Sequence, residues 1–210
     1  MTDQPTIVIP EKIKVQMQMQ AYLDRSVDYY IFARKSVMLG VVPVGGTLFH
    51  IAVEMLLHAG LSVKYSQTDL ERKFSKHELP VMWLEFKSLF SGAKLSGFDK
   101  FVNHHRQWKE LRYPKSKSSA STIFFGRTKP DPEVMKRNMA NFPQCKIQLE
   151  INLEEMDEFI MTIIHAIGIN PDHIKIHLQR SAELLDMYLV ENLHPLFSKD
   201  PVVNSTSILL

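Results

Sequence analysis

Three ionisable side chains, His50, Glu54 and His58, recur at intervals of four inside residues 48–61, a stretch otherwise built of apolar residues. In an α-helix that spacing stacks them along one face. A helix apolar on nearly every other side is a buried helix. A buried ionisable group must find a partner or lose its charge. The stripe therefore lines a polar cleft between helices, or is satisfied by groups from elsewhere in the chain. A histidine beside a carboxylate can move a proton, contact a substrate or share a metal. His50 and His58 stand about 12 Å apart along a helix axis, too far for both to ligate one ion. His50 with Glu54, or Glu54 with His58, could still share one. The plainer role is a hydrogen-bonded polar seam.

Other candidates follow along the chain. His105 and Arg112 are seven apart and would share a helix face, beside His104, Arg106 and Tyr113. Such a pair suits an RNA phosphodiester, with the imidazole moving a proton and the guanidinium holding the phosphate. The alternative is packing of His105 beside Trp108 and a carboxylate partner for Arg112. Arg72 and His77 are five apart in a locally basic stretch with Lys73 and Lys76. His173 and His177, four apart, can share a metal or proton site, or form a solvated or intersubunit pair. No phosphate-cradling glycine loop and no dinucleotide fingerprint is present; the Gly45-Gly46 turn lacks the lysine a phosphate loop uses.

These groups need helices to position them. Apolar residues near helical spacing run through about residues 11–39, until Gly40, Pro43, Gly45 and Gly46 interrupt them. The striped helix follows, with Gly60 placed to end it. A polar connection over residues 66–74 leads to a capping-box pattern, Ser75 with Glu78. A third helix then presents Leu79, Met82, Trp83, Phe86 and Phe90, and a fourth, about residues 98–113, stops at Pro114. Beyond the Lys/Ser-rich residues 115–121, the segments STIFF and IQLEINL carry strand character. A two-stranded ribbon would pair IQLEINL with STIFF or with TIVIP near the N-terminus. Asn152 with Glu155 starts another helix that ends before Gly168, and Asn170-Pro171 starts a last one reaching about residue 193. The expected fold is mainly α: an antiparallel up-and-down bundle of four core helices plus a C-terminal helix pair, with that small β ribbon. The divisions are residues 1–114 (bundle), 115–152 (basic linker and irregular or β segment) and 153–210 (a C-terminal helical hairpin packed on the bundle).

Composition narrows the class. The formal charge is only +2 over 210 residues, but residues 1–140 hold 21 Lys/Arg against 13 Asp/Glu, and residues 141–210 hold 4 against 10. That asymmetry suggests docking of one part on the other or on a second subunit, or a basic face kept for an anion. One cysteine, Cys145, allows no internal disulfide and fits a reducing cytoplasm. No signal-like N-terminus and no continuous apolar run of membrane-spanning length is visible. The expectation is a cytoplasmic protein with no membrane partner, metal or cofactor.

Three segments, FHIAVEMLLHAGL, KHELPVMW and KELRYPKS, resemble in combination the HEPN superfamily of bacterial toxin–antitoxin, defence and RNA-processing systems. The resemblance covers roughly residues 15–115. It implies a helical bundle that commonly dimerises and, in active members, a metal-independent endoribonuclease. Those members carry an Arg, then four to six intervening residues, then a His, on a late helix. Here Arg112 is followed by no such His, and the forward match from Arg72 to His77 falls before the third helix. The resemblance thus implies a non-catalytic binding or regulatory module, with a groove lined by His50, Glu54, His77, His105, Arg112 and Tyr113 that holds RNA, a nucleotide or another anion. Two alternatives stand beside it: a toxin- or defence-type endoribonuclease using a rearranged His105/Arg112 pair, and a protein–protein scaffold. The partners to expect are a second copy of the chain and a cognate protein.

Overall fold

Pro10 and Gly40 delimit the first helix. The structure, a computed structural model, describes residues 10–108, 121–126, 131–141 and 147–183. Helix α1 (Glu11–Met38) begins at Pro10, whose fixed φ favours a helix start, and is followed by Gly40 at φ +77°, a left-handed turn that glycine adopts without strain. Helix α2 (Val42–Leu61) then returns alongside it. Gln18 bonds Ser62 at 3.1 Å, Ser26 bonds the Ala52 carbonyl at 2.8 Å, and Val37 lies against Gly45. Partner numbers fall as α1 numbers rise, so the pair is antiparallel. By length and apolar content α2 is large enough to cross a bilayer, but 72% of it is buried among the other helices. It is the central core helix.

Close approach explains two glycines of α2. A Cβ on Gly46 would fall 2.0 Å from the Trp108 ring, and one on Gly60 would fall 2.3 Å from Phe86. Gly60 is therefore a packing residue inside α2 rather than its terminator. The helix continues one residue further and Ser62 caps it.

Residues 66–74, expected as a polar connection, contain helix α3 (Gln67–Lys73). The Ser66 hydroxyl accepts from the Asp69 amide at 3.2 Å, Leu70 is buried, and Arg72 pairs with Asp69 at 2.7 Å. Cap, anchor and local ion pair together support one short helix. Helix α4 (Leu79–Leu89) buries Leu79, Met82, Trp83 and Phe86 as their spacing predicts. Its expected capping box does not form. Glu78 is itself the N-cap, without a side-chain bond, and His77 before it sits at φ +53°. Glu85 fastens this corner by accepting from Lys64 at 2.8 Å, Tyr65 at 2.6 Å and Lys73 at 3.0 Å, which holds its carboxyl down at about 2.

A 3-10 turn (Ser96–Phe98) opens helix α5 (Asp99–Arg106), with Phe101, Val102 and His105 on its buried side and Trp108 just beyond. Strand β1 (Ser121–Gly126) and strand β2 (Ile147–Asn152) pair in parallel, Ser121 opposite Ile147 and Gly126 opposite Asn152. Parallel neighbours need a long crossover, and helix α6 (Pro132–Asn141) lies within it. The ribbon thus forms between STIFF and IQLEINL; TIVIP falls largely outside the described residues.

Helix α7 (Leu153–Ala166) starts where the Asn152 side chain accepts from the Glu155 amide at 3.1 Å, and stops at Ile167 with Gly168 at φ +73°. Helix α8 (Asp172–Leu178) gives way to a turn at residues 179–180 and helix resumes at 182–183; the rest of the expected helix, to about residue 193, lies outside the described residues. Just past its end Arg180 turns onto Asp28 of α1. The described chain is mainly helical, and the core is built by α2 against α1, α4, α5 and α7.

Candidate functional site

Two buried polar clusters lie against α1 and α2. The first was not evident from local pattern. Tyr30 and Arg34, one turn apart on α1, both donate to Asp157 of α7. Arg34 and Asp157 are 2% and 1% exposed. Burial works against the Arg34 charge, but Tyr30 and Asp157 outweigh it and hold the guanidinium above its ordinary value. The available signal was an ionisable residue inside an otherwise apolar stripe: Arg34 among Ile31, Ala33 and Val37, and Asp157 among Met156, Phe159 and Ile160.

The second cluster is the α2 stripe. Glu54 is its hub, with the His50 Nε2 at 4.0 Å and the His58 Nε2 at 3.9 Å from its carboxylate oxygens. Neither approach is a hydrogen bond. The bond comes from His77, whose Nδ1 donates to Glu54 Oε1 at 2.5 Å. The His50 Nδ1 donates to the His105 carbonyl at 2.8 Å, joining α2 to α5. The His105 Nδ1 donates to the Phe101 carbonyl at 3.1 Å. Carbonyl acceptors require N–H on both of those nitrogens, which fixes the neutral rings as Nδ1–H tautomers.

Exposure divides the seam. His50, Glu54, His58 and His105 are 0%, 3%, 6% and 3% exposed, whereas the His77 side chain is 56% exposed. The Nδ1 of His77 is spent on a buried carboxylate while more than half of its side chain stands in solvent. A non-glycine residue at positive φ is uncommon, although histidine is among the types that tolerate it. Here that conformation aims the ring from the α3–α4 turn down onto Glu54.

The walls explain the electrostatics. Burial pushes the His105 imidazole down to about 3, opposed only by the Phe101 carbonyl; the Phe101 ring lies 4.1 Å away, centroid to centroid. Burial also lowers His58, with Glu54 working against that shift. Tyr22 of α1 stacks on His58 at 5.1 Å, and burial together with Glu71 raises its phenol. Tyr22 and Glu71 therefore lie at the His58 end of the seam.

The remaining sequence candidates fall elsewhere. Arg112 and Tyr113 lie outside the described residues, so the His105/Arg112 pair and that end of the groove are not described. Arg72 is engaged with Asp69, and Lys73 with Glu85. The His177 ring lies between Asp24 at 3.3 Å and Asp28 at 3.0 Å, an intrachain clamp of α8 on α1; the His173 side chain is outside the described set. Among the described residues no group of three His, Cys, Asp or Glu side chains converges as metal ligands. Two surface cavities, one lined by Phe90, Thr162 and His165 and the other by Lys94, Glu154 and Glu158, include no residue of the seam. Set against protein-family models, curated proteins and solved structures, the chain matches none.

Proposed function

We propose that this chain is a HEPN-like, non-catalytic binding module that takes an anion, as a nucleotide or a short stretch of RNA, where His77 emerges from the seam. The observation that carries the reading is the Glu54–His77 bond: a carboxylate 3% exposed holds an imidazole that is more than half exposed. Such a ring is oriented before any ligand arrives, which lowers the ordering cost of binding. Its other ring nitrogen, Nε2, donates a charge-assisted bond to a phosphate oxygen when the ring is protonated. Lys76, the preceding residue, adds positive charge. The ribonuclease alternative is less well supported, because His105 is enclosed and held neutral by its surroundings, so it has no contact with a substrate in solvent.

The test is salt-dependent binding of short RNA and mononucleotides, followed by fluorescence anisotropy. His77→Ala should weaken binding by about tenfold, roughly the worth of one charged hydrogen bond, while its helical circular dichroism stays unchanged. Equal affinity in that variant would remove the assignment. Labelled RNA incubated in EDTA should stay intact.

A further inference from the structure

Along α1, Asp24, Asp28 and Phe32 recur at intervals of four, and Leu39 follows seven after Phe32, so the four fall along one side of the helix. The first two are engaged by the C-terminal part of the chain. His177 lies between Asp24 and Asp28, and Arg180, three residues on, bonds Asp28. The next two stand in solvent: Phe32 is 51% and Leu39 68% exposed, with Tyr29 close by at 36%. An apolar line that prolongs a docking line already in use marks a surface with a partner.

We infer that this partner is the chain's own continuation: residues 184–193, which lie beyond the described residues, dock along α1 and cover Tyr29, Phe32 and Leu39. The described chain delivers them to the right place. After Arg180 meets Asp28, helix resumes at residues 182–183 behind Ser181, and serine is a favoured helix cap. The sequence that follows is of the right kind. Seven of the residues 184–193 are apolar, with Leu185, Leu189 and Leu193 at helical intervals of four. Their charges are Asp186 and Glu191, whereas Arg25 and Lys35 stand seven before and three after Phe32, on its side of α1. The lengths agree too. A ten-residue helix is about 15 Å long, and α1 rises about 16 Å from Asp28 to Leu39. A segment tethered so close meets its site at an effective concentration of about millimolar, which favours it over a free second copy.

The experiment is amide hydrogen exchange of the full chain, read by mass spectrometry. Residues 184–193 should exchange at least about tenfold more slowly than a free peptide of the same sequence, at a rate independent of protein concentration. Phe32→Asp places a charge in the middle of the line, at a half-exposed position outside the core. It should return those residues to the free-peptide rate while α2 stays protected. Free-peptide exchange in the wild type would overturn the inference, as would protection that survives Phe32→Asp or is lost on dilution. A photoreactive benzophenone side chain in place of Phe32 reads the same contact without introducing a charge. Its adduct should map to residues 184–193 of the same chain. An adduct joining two chains, or one to any other segment, would sink the assignment.

Discussion

Asp157 and Glu54 are both carboxylates almost fully withdrawn from water, yet the protein surrounds them in opposite ways. Asp157 accepts from Tyr30 and Arg34, and all three are buried between α1 and α7. Glu54 accepts from a ring that stands more than half in solvent. The described bonds of the first network join buried side chains and hold helices together. The second passes from the interior to the surface, so whatever the surface ring meets is felt by the buried carboxylate. Burial of a charged group therefore does not by itself distinguish a brace from a site. The exposure of its partner does.

The largest effect expected from breaking this comparison is at the closed network. Asp157→Ala leaves the Arg34 charge buried without its carboxylate and should cost about 3–5 kcal/mol in denaturant unfolding. Replacing the pair together, with Arg34→Met and Asp157→Leu, should recover most of that loss, because a well-packed apolar pair of similar volume serves as well. Failure of the double replacement to recover stability would give the network a role beyond bracing.

A second, smaller effect separates enclosed from exposed imidazoles. The folded-state value of His105 is depressed to about 3, so the unfolded chain binds its proton first as pH falls. The stability His105 contributes as a neutral ring is complete above about pH 6.5, the ordinary imidazole value, and declines on acidification toward 3. The slope reaches at most about 1.4 kcal/mol per pH unit. Unfolding curves at neutral and mildly acid pH should diverge more for the wild type than for His105→Phe. Equal slopes would mean that His105 is hydrated.

The smallest stability effect should appear at the open network, where binding is the more sensitive measurement. Glu54→Gln keeps the shape and an acceptor oxygen but removes the charge, and should cost about 1–2 kcal/mol. His77→Ala should cost less than about 1 kcal/mol because the bond it breaks reaches the surface. Both should weaken RNA binding by a larger factor than they weaken the fold. A His77→Ala variant as unstable as Asp157→Ala would collapse the distinction.

Where structure is decided within one turn of chain, the sequence is a reliable guide. Pro10 and Gly40 bound α1, Asn152 with Glu155 opens α7, and Gly168 closes it. The apolar spacing of Leu79, Met82, Trp83 and Phe86 selects the buried face of α4. Strict alternation in IQLEINL marks β2, and its partner STIFF was one of two options. Reading fails where a distant residue decides. Gly60 carries the ordinary mark of a helix end, but Phe86 occupies the space its side chain would need. Ser75 and Glu78 have capping-box spacing, but His77 between them is held by Glu54, 23 positions earlier. The stripe itself was visible, as was its inclination toward an internal brace. Its exposed end at His77 was not, because exposure is a property of the assembled helices. Asp157 was invisible as the partner of Arg34 for the same reason.

The separation of Tyr30 from Asp157, 127 positions along the chain, has a consequence for the order of assembly. During synthesis α1 and α2 emerge before α7 and can pair at once through contacts local in sequence. Arg34 then lacks the Asp157 carboxylate, which lies 123 positions further along the chain. Only when α7 leaves the ribosome can that face of α1 dry out. The final docking closes a long loop, an entropic cost that grows slowly with length. Chains truncated before residue 157 should accordingly show fast amide exchange around Tyr30 and Arg34, with the α1–α2 hairpin already formed. In this protein α1 is made well before α7 but is finished only with it.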